Sequence, residues 1–177
     1  MKTDINRAKL NKLQELIPYI IIIVVVVLIR TFIITPVIVV GDSMVPTLKE
    51  GQILLLNKIN YHFNDIERYD IVVIKSGKSE IIKRVIGLPG ETIEYRDNVL
   101  YINGHEEDTI YNFETDDFNL KSICNCDKIP EDKYLVLGDN RSVSADSRII
   151  GLIDKKNILG NTNISIWPMK KVNEVNY

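Results

Sequence analysis

The chain has 177 residues, 45% hydrophobic and 26% charged, which suits one compact domain with a short appendage and excludes a largely disordered polypeptide. Its formal net charge of -2 supplies no basic face, so nucleic acid is set aside as a partner. Two cysteines one residue apart, Cys124 and Cys126, make neither a tetrahedral zinc set nor a multi-bridge framework; free thiols or a local bridge both remain open, and no metal or cofactor is expected.

The N-terminal residues 1–15 carry Lys2, Arg7, Lys9 and Lys12 against Asp4 and Glu15. From Leu16 to Ile29 nothing is charged, and apolar character resumes after Arg30-Thr31 with Phe32-Ile33-Ile34. At about 1.5 Å per residue, the run 16–34 nearly spans a bilayer core of about 30 Å. Arg30 sits close enough to its far end to snorkel to the headgroups. A cleavable secretory signal is the competing reading, but Thr35-Pro36-Val37-Ile38 offers no small-residue cleavage site and the run exceeds an ordinary signal core. A buried core helix would show a polar face, which this Ile/Val-rich run lacks. The basic excess keeps residues 1–15 in the cytosol and sends the rest across. The expected division is 1–15 cytosolic, 16–34 a transmembrane anchor, 35–170 an extracytoplasmic domain and 171–177 a loose tail, the chain already loosening beyond Pro168.

After Pro36 come short extended runs separated by turn formers: 52–56, 70–75, 81–86, 91–95, 99–102 and 133–137. Asp97-Asn98 and Asn103-Gly104 bracket Val99–Ile102 and predict antiparallel hairpins. With few helical patterns beyond the anchor, the fold class is mainly β: a single N-terminal transmembrane helix followed by an antiparallel β-barrel or sandwich-like domain. Residues 104–123 read as a polar loop, holding Glu106, Glu107, Asp108, Glu114, Asp116 and Asp117. His62 and His105 sit among turn formers and read as surface loop residues, not ligands.

Three segments could carry chemistry. Gly41-Asp42-Ser43-Met44-Val45-Pro46 places a serine at a constrained junction, since Gly41 permits close backbone approach and Pro46 biases Val45 toward extended geometry; alone it is also an ordinary turn. In Ile81-Ile82-Lys83-Arg84-Val85, strand alternation puts Lys83 with Ile81 and Val85, where an apolar setting would disfavour the ammonium form. A solvated Lys83 with Arg84 buried or paired instead fits the same pattern. The third segment, Gly138-Asp139-Asn140-Arg141-Ser142-Val143-Ser144-Ala145-Asp146-Ser147-Arg148, is individually a polar loop.

Taken in order behind an anchor, these segments resemble the type I signal peptidases, membrane-bound Ser/Lys proteases. The matching pieces are Gly41 to Leu48, Tyr69 to Val73, Lys83 to Gly90 and Gly138 to Arg148, with Trp167-Pro168 near the end. The resemblance implies a serine endopeptidase that removes N-terminal signal peptides from exported preproteins after small residues, at Ala-x-Ala-like sites on the outer face of the cytoplasmic membrane. It implies Ser43 as nucleophile, Lys83 as general base, Ser144 as the serine that orients the lysine, and Asp146 with Arg148 as a structural ion pair. Val39, Met44, Leu48 and Ile82 match the residues of its shallow substrate pockets. Some members carry a hydroxyl residue two positions before the nucleophile; here that residue is Gly41, which leaves the oxyanion to backbone N–H groups around Ser43 and Gly41. Only 39 residues separate Ser43 from Lys83, so the chain resembles the compact Gram-positive-like members. The implied partners are preproteins and the lipid bilayer; nothing speaks to oligomeric state, and a monomer is assumed. The rivals are a self-cleaving Ser/Lys repressor, which would need a DNA-binding module in place of the anchor; an inactive tethered β-domain, which would not need Ser43 and Lys83 in contact; and a Ser-His-Asp hydrolase, for which neither histidine has a suitable context.

Overall fold

The structure is a computed structural model and describes residues 2–58, 66–108, 111 and 113–171, with the backbone alone for 2–13 and 170–171. His62 and the segment 172–177 therefore lie outside the described residues.

Helix α1 runs Lys2–Phe32, and its stretch Gln14–Phe32, 19 residues long, is apolar and long enough to cross a bilayer. Every side chain of that stretch is exposed, as a helix without a protein partner requires. Its last carbonyls would be orphaned. Thr35 Oγ1 donates to the Arg30 carbonyl at 3.0 Å and Lys58 Nζ to that of Thr31 at 3.3 Å, which ties the helix end to the domain. The helix stops two residues short of the apolar run, because Ile34 already belongs to a strand.

Thirteen strands follow among the described residues: β1 (Ile34–Ile38), β2 (Ile53–Asn57), β3 (Ile71–Ser76), β4 (Ser79–Gly87), β5 (Ile93–Arg96), β6 (Val99–Ile102), β7 (His105–Glu106), β8 (Phe118–Asn119), β9 (Lys133–Leu137), β10 (Ile153–Asp154), β11 (Ile158–Asn161), β12 (Ile164–Trp167) and β13 (Lys170–Lys171). Among the described residues they form a nine-stranded sheet, ordered β10-β9-β4-β3-β11-β2-β12-β13 with β1 also on β2, and a four-stranded sheet ordered β7-β6-β5-β8. Every pairing is antiparallel. The larger sheet stays open, so the barrel alternative gives way to two packed sheets.

Alternation explains the packing. Ile71 and Val73 of β3 face one cluster with Val39, Met44, Leu48, Leu54, Leu56 and Ile82, while Val72 and Ile74 face another with Val85, Tyr134 and Val136. Leu135 and Leu137 of β9 join Ile86, Ile93, Tyr95, Leu100 and Ile102 in a third cluster, which seats the small sheet on the large one. Each fully buried Leu or Ile contributes roughly 1.5–3 kcal/mol. The hairpins form where expected: Asp97, Asn98, Asn103 and Gly104 all take positive φ, as tight turns joining β5 to β6 and β6 to β7 demand.

The segment expected as one loop, 104–123, is partly ordered into β7, β8 and the start of helix α2 (Leu120–Cys124). Asn119 caps that helix by accepting from the Ser122 N–H, and Asn125 ends it in the left-handed conformation. Cys124 and Cys126 form a disulfide across this cap, and exposed His105 lies on β7. Beyond Pro168, the backbone of Lys170 and Lys171 pairs with β12.

Candidate active site

Ser43 lies in the turn after β1. Gly41 enters it with φ +78°, a backbone region that favours glycine. The Val45 N–H closes the turn on the Asp42 carbonyl at 3.1 Å. From the far side Asn140 holds the loop twice, its N–H donating to the Ser43 carbonyl at 3.0 Å and Nδ2 to that of Asp42 at 3.1 Å. No backbone carbonyl takes the Ser43 N–H among the described residues.

Lys83 reaches this loop from β4. Nζ lies 2.8 Å from Ser43 Oγ and donates to the Ile82 carbonyl at 3.0 Å. The residue is 3% exposed, and burial lowers its pKa below the ordinary lysine value, with the Asp146 and Asp139 charges pulling part of the way back. The choice between a buried Lys83 and a buried Arg84 does not arise, because both are inside. Arg84 Nε and Nη2 donate to Asp139 Oδ1 and Oδ2 at 2.8 and 2.7 Å.

The segment 138–148 wraps the dyad. Burial would raise the Asp146 carboxyl, but Arg148, the Gly138 N–H and the Ser144 hydroxyl more than offset it and hold the pKa below the usual carboxylate range. Arg148 donates to Asp146 Oδ1 and Oδ2 at 2.9 and 3.0 Å, and the Gly138 N–H to Oδ2 at 2.9 Å. Asp146 also caps helix α3 (Ser147–Ile150). Ser144 is buried, and its hydroxyl makes no bond of full hydrogen-bond geometry; the Lys83 amine is held by Ile82.

A groove of about 1250 Å³ opens beside the dyad, between Thr35–Gly41 and β4. β4 pairs with β3 from Ser79 to Arg84 but with β9 only from Arg84 to Gly87. Its edge from Ser79 to Lys83 therefore has no strand partner on that side among the described residues. Val39, Met44 and Ile82 line the groove, whereas Leu48 does not and is fully buried.

A family profile described as "Signal peptidase, peptidase S26" matches residues 13–167. The chain belongs to the peptidase S26 signal peptidase family. It is 38% identical over 177 residues to signal peptidase IB of Staphylococcus aureus strain N315, covering 89% of this chain and 93% of that one. It is 37% identical over 165 residues to signal peptidase I of Bacillus caldolyticus, covering 87% and 91%. A solved signal peptidase I from Enterococcus faecalis V583 superposes with TM-score 0.51 at 38% identity, over 55% of this chain and 97% of that one. Family membership makes the chain a serine endopeptidase of this class, and its N-terminal apolar helix supports anchoring in a membrane.

Sequence reasoning gave no role to Asn140, Asp139 or Gly138. All three stand in the quoted segment, but nothing in a polar run marks which members turn inward. A Cβ on Gly138 would collide with the Ser144 side chain and the Ser43 carbonyl. Gly138→Ala is therefore expected to lower kcat/KM about a hundredfold, the usual cost of misplacing reacting groups by about 1 Å. Peptide cleavage rates, read beside an unfolding curve that shows the variant folded, check this.

Proposed function

We propose that this chain cleaves signal peptides from exported preproteins with Ser43 as nucleophile and Lys83 as general base. The 2.8 Å contact between Lys83 Nζ and Ser43 Oγ, made by a buried amine, carries this reading. Neutral Lys83 spends one N–H on the Ile82 carbonyl and turns its lone pair to Ser43. It takes the hydroxyl proton as Oγ attacks the scissile carbonyl, and the resulting ammonium protonates the leaving amine. Water then deacylates the ester with the same base. The oxyanion forms against the uncommitted Ser43 N–H, and Gly41 keeps side-chain bulk away from it. Ser144 packs on Gly138, next to the Ser43 carbonyl, and its hydroxyl is assigned the role of steadying the amine. Asp146 and Arg148 support the loop without reacting.

The preprotein lies in the groove as an added strand, its backbone pairing with the open edge of β4. Val39, Met44 and Ile82 wall shallow pockets that accept small side chains and reject large ones sterically, and Leu48 backs them from the same cluster. Residues 1–15 stay cytosolic by their basic excess, the anchor crosses the cell membrane once, and 35–170 act outside it as a monomer, the tail from 171 taking no part. Ser43 then stands near the bilayer surface, within reach of a signal peptide whose apolar segment is still in lipid.

The test is cleavage of a preprotein with an Ala-x-Ala site by the detergent-solubilised chain, followed by sequencing of the new N-terminus. Wild type is expected to cut after the site, and folded Ser43→Ala to leave the preprotein intact. Wild-type cleavage by Ser43→Ala would overturn the proposal.

A further inference from the structure

A second pocket, of about 570 Å³, adjoins the nucleophile loop, lined by Val45, Phe113, Glu114, Asp116, Asn140 and Arg141 among others. The groove beside the dyad ends its share of the loop at Ser43 and Met44; this pocket begins at the next residue, Val45, and at Asn140, whose N–H binds the Ser43 carbonyl. A peptide laid along β4 toward Lys83 and continued past Ser43 would reach it at Val45.

The direction of that peptide follows from the anchor. The groove is also lined by Thr35 and Pro36, directly after α1, so its occupant is the half of the substrate still joined to lipid. The half beyond the cut takes the other side. Resting on the peptidase reading, we infer that the second pocket is the subsite for the first residues of the mature chain, and that Glu114 and Asp116 at its rim favour a basic side chain there.

Its chemistry suits a polypeptide. Arg141 is 6% exposed; Nε donates to the Gly138 carbonyl at 2.9 Å, and Nη1 donates to Tyr95 Oη at 3.2 Å and to Thr115 Oγ1. Nη2 is buried without a partner. A buried guanidinium donor left unmade is costly, and a turn of the Arg141 side chain into the pocket would let a backbone carbonyl of the departing segment satisfy it. Glu114 and Asp116 are exposed, so they act through charge on whatever side chain emerges at the rim, an interaction that salt screens.

The experiment uses the full chain in detergent and three preproteins differing only at the second residue after the cut: Lys, Gln or Glu. The expected order of kcat/KM is Lys, then Gln, then Glu, spanning about fivefold at low salt and narrowing as salt rises. In the double variant E114Q/D116N the spread is expected to collapse. A wild-type enzyme that treats all three alike, or a spread that survives in the double variant, overturns the subsite. If the Gln substrate is cut in a Ser43-dependent way while the charge series is flat, the subsite alone falls. If the Gln substrate is not cut at all, the peptidase reading falls with it.

Discussion

Lys83→Met is expected to abolish cleavage while raising the stability of the fold. A general base contributes about 10²–10⁴ to the rate, and methionine keeps the bulk of the stem but has no basic nitrogen. The sign of the stability change follows from linkage. Burial lowers the folded pKa of Lys83 below its ordinary value of 10.5, so between the folded and unfolded values the unfolded chain binds a proton that the folded chain refuses. The penalty is present in full below the folded pKa and is relieved as pH rises toward the unfolded one. Unfolding midpoints of wild type and variant should therefore differ at neutral pH and converge on the alkaline side. The pH profile of wild-type kcat/KM should carry an acid limb below the ordinary lysine value, since only the neutral amine accepts the Ser43 proton. Asp146 raises the Lys83 pKa, so Asp146→Asn should move that limb to lower pH even as it slows the enzyme. A lysine with a merely structural role would give variants less stable than wild type and no displaced limb.

The sequence carried much of this, unevenly. Lys83 shares a face with Ile81 and Val85 as alternation predicts, but alternation assumes a strand with one wet face, and every residue of β4 from Ile82 to Gly87 is buried. That is why Lys83 and Arg84 could not be ranked from pattern alone. β1 was hidden because its apolar residues continue the anchor and Thr35-Pro36 reads as a break. The proline is tolerated because, among the described residues, β1 pairs with β2 alone, and its missing N–H costs nothing on the open edge. Helix α2 was lost in an acidic stretch whose average polarity outweighed its two cap signals, Asn119 and Asn125. The residues proposed for the acyl-side pockets were named through resemblance alone, and three of them, Val39, Met44 and Ile82, line the groove. Arg141 and Asn140 were not, because a buried polar side chain in a loop is identified by its partners, and those lie at Tyr95, Thr115 and Ser43, far away in sequence.

The Arg84–Asp139 pair makes the second large prediction. Both side chains are fully buried; Arg84 also donates to the Tyr69 carbonyl at 2.9 Å and lies 3.9 Å from the Tyr111 ring centroid. Removing one partner strands a buried charge, so Arg84→Met or Asp139→Leu alone is expected to cost about 3–5 kcal/mol, or roughly 10 °C in the unfolding midpoint of a domain this size. The double variant is expected to recover most of that loss, because apolar side chains of similar volume replace a buried pair at little net cost. Activity should not recover with it. Arg84 follows Lys83 on β4, and Asp139 precedes Asn140, whose N–H and Nδ2 hold the Ser43 loop. The ion pair thus fixes the distance between the strand that carries Lys83 and the loop that carries Ser43, and apolar packing has no comparable directionality. A double variant that regained both midpoint and kcat/KM would reduce the pair to a packing element; one that regained only the midpoint would place the alignment of the dyad in those two hydrogen bonds.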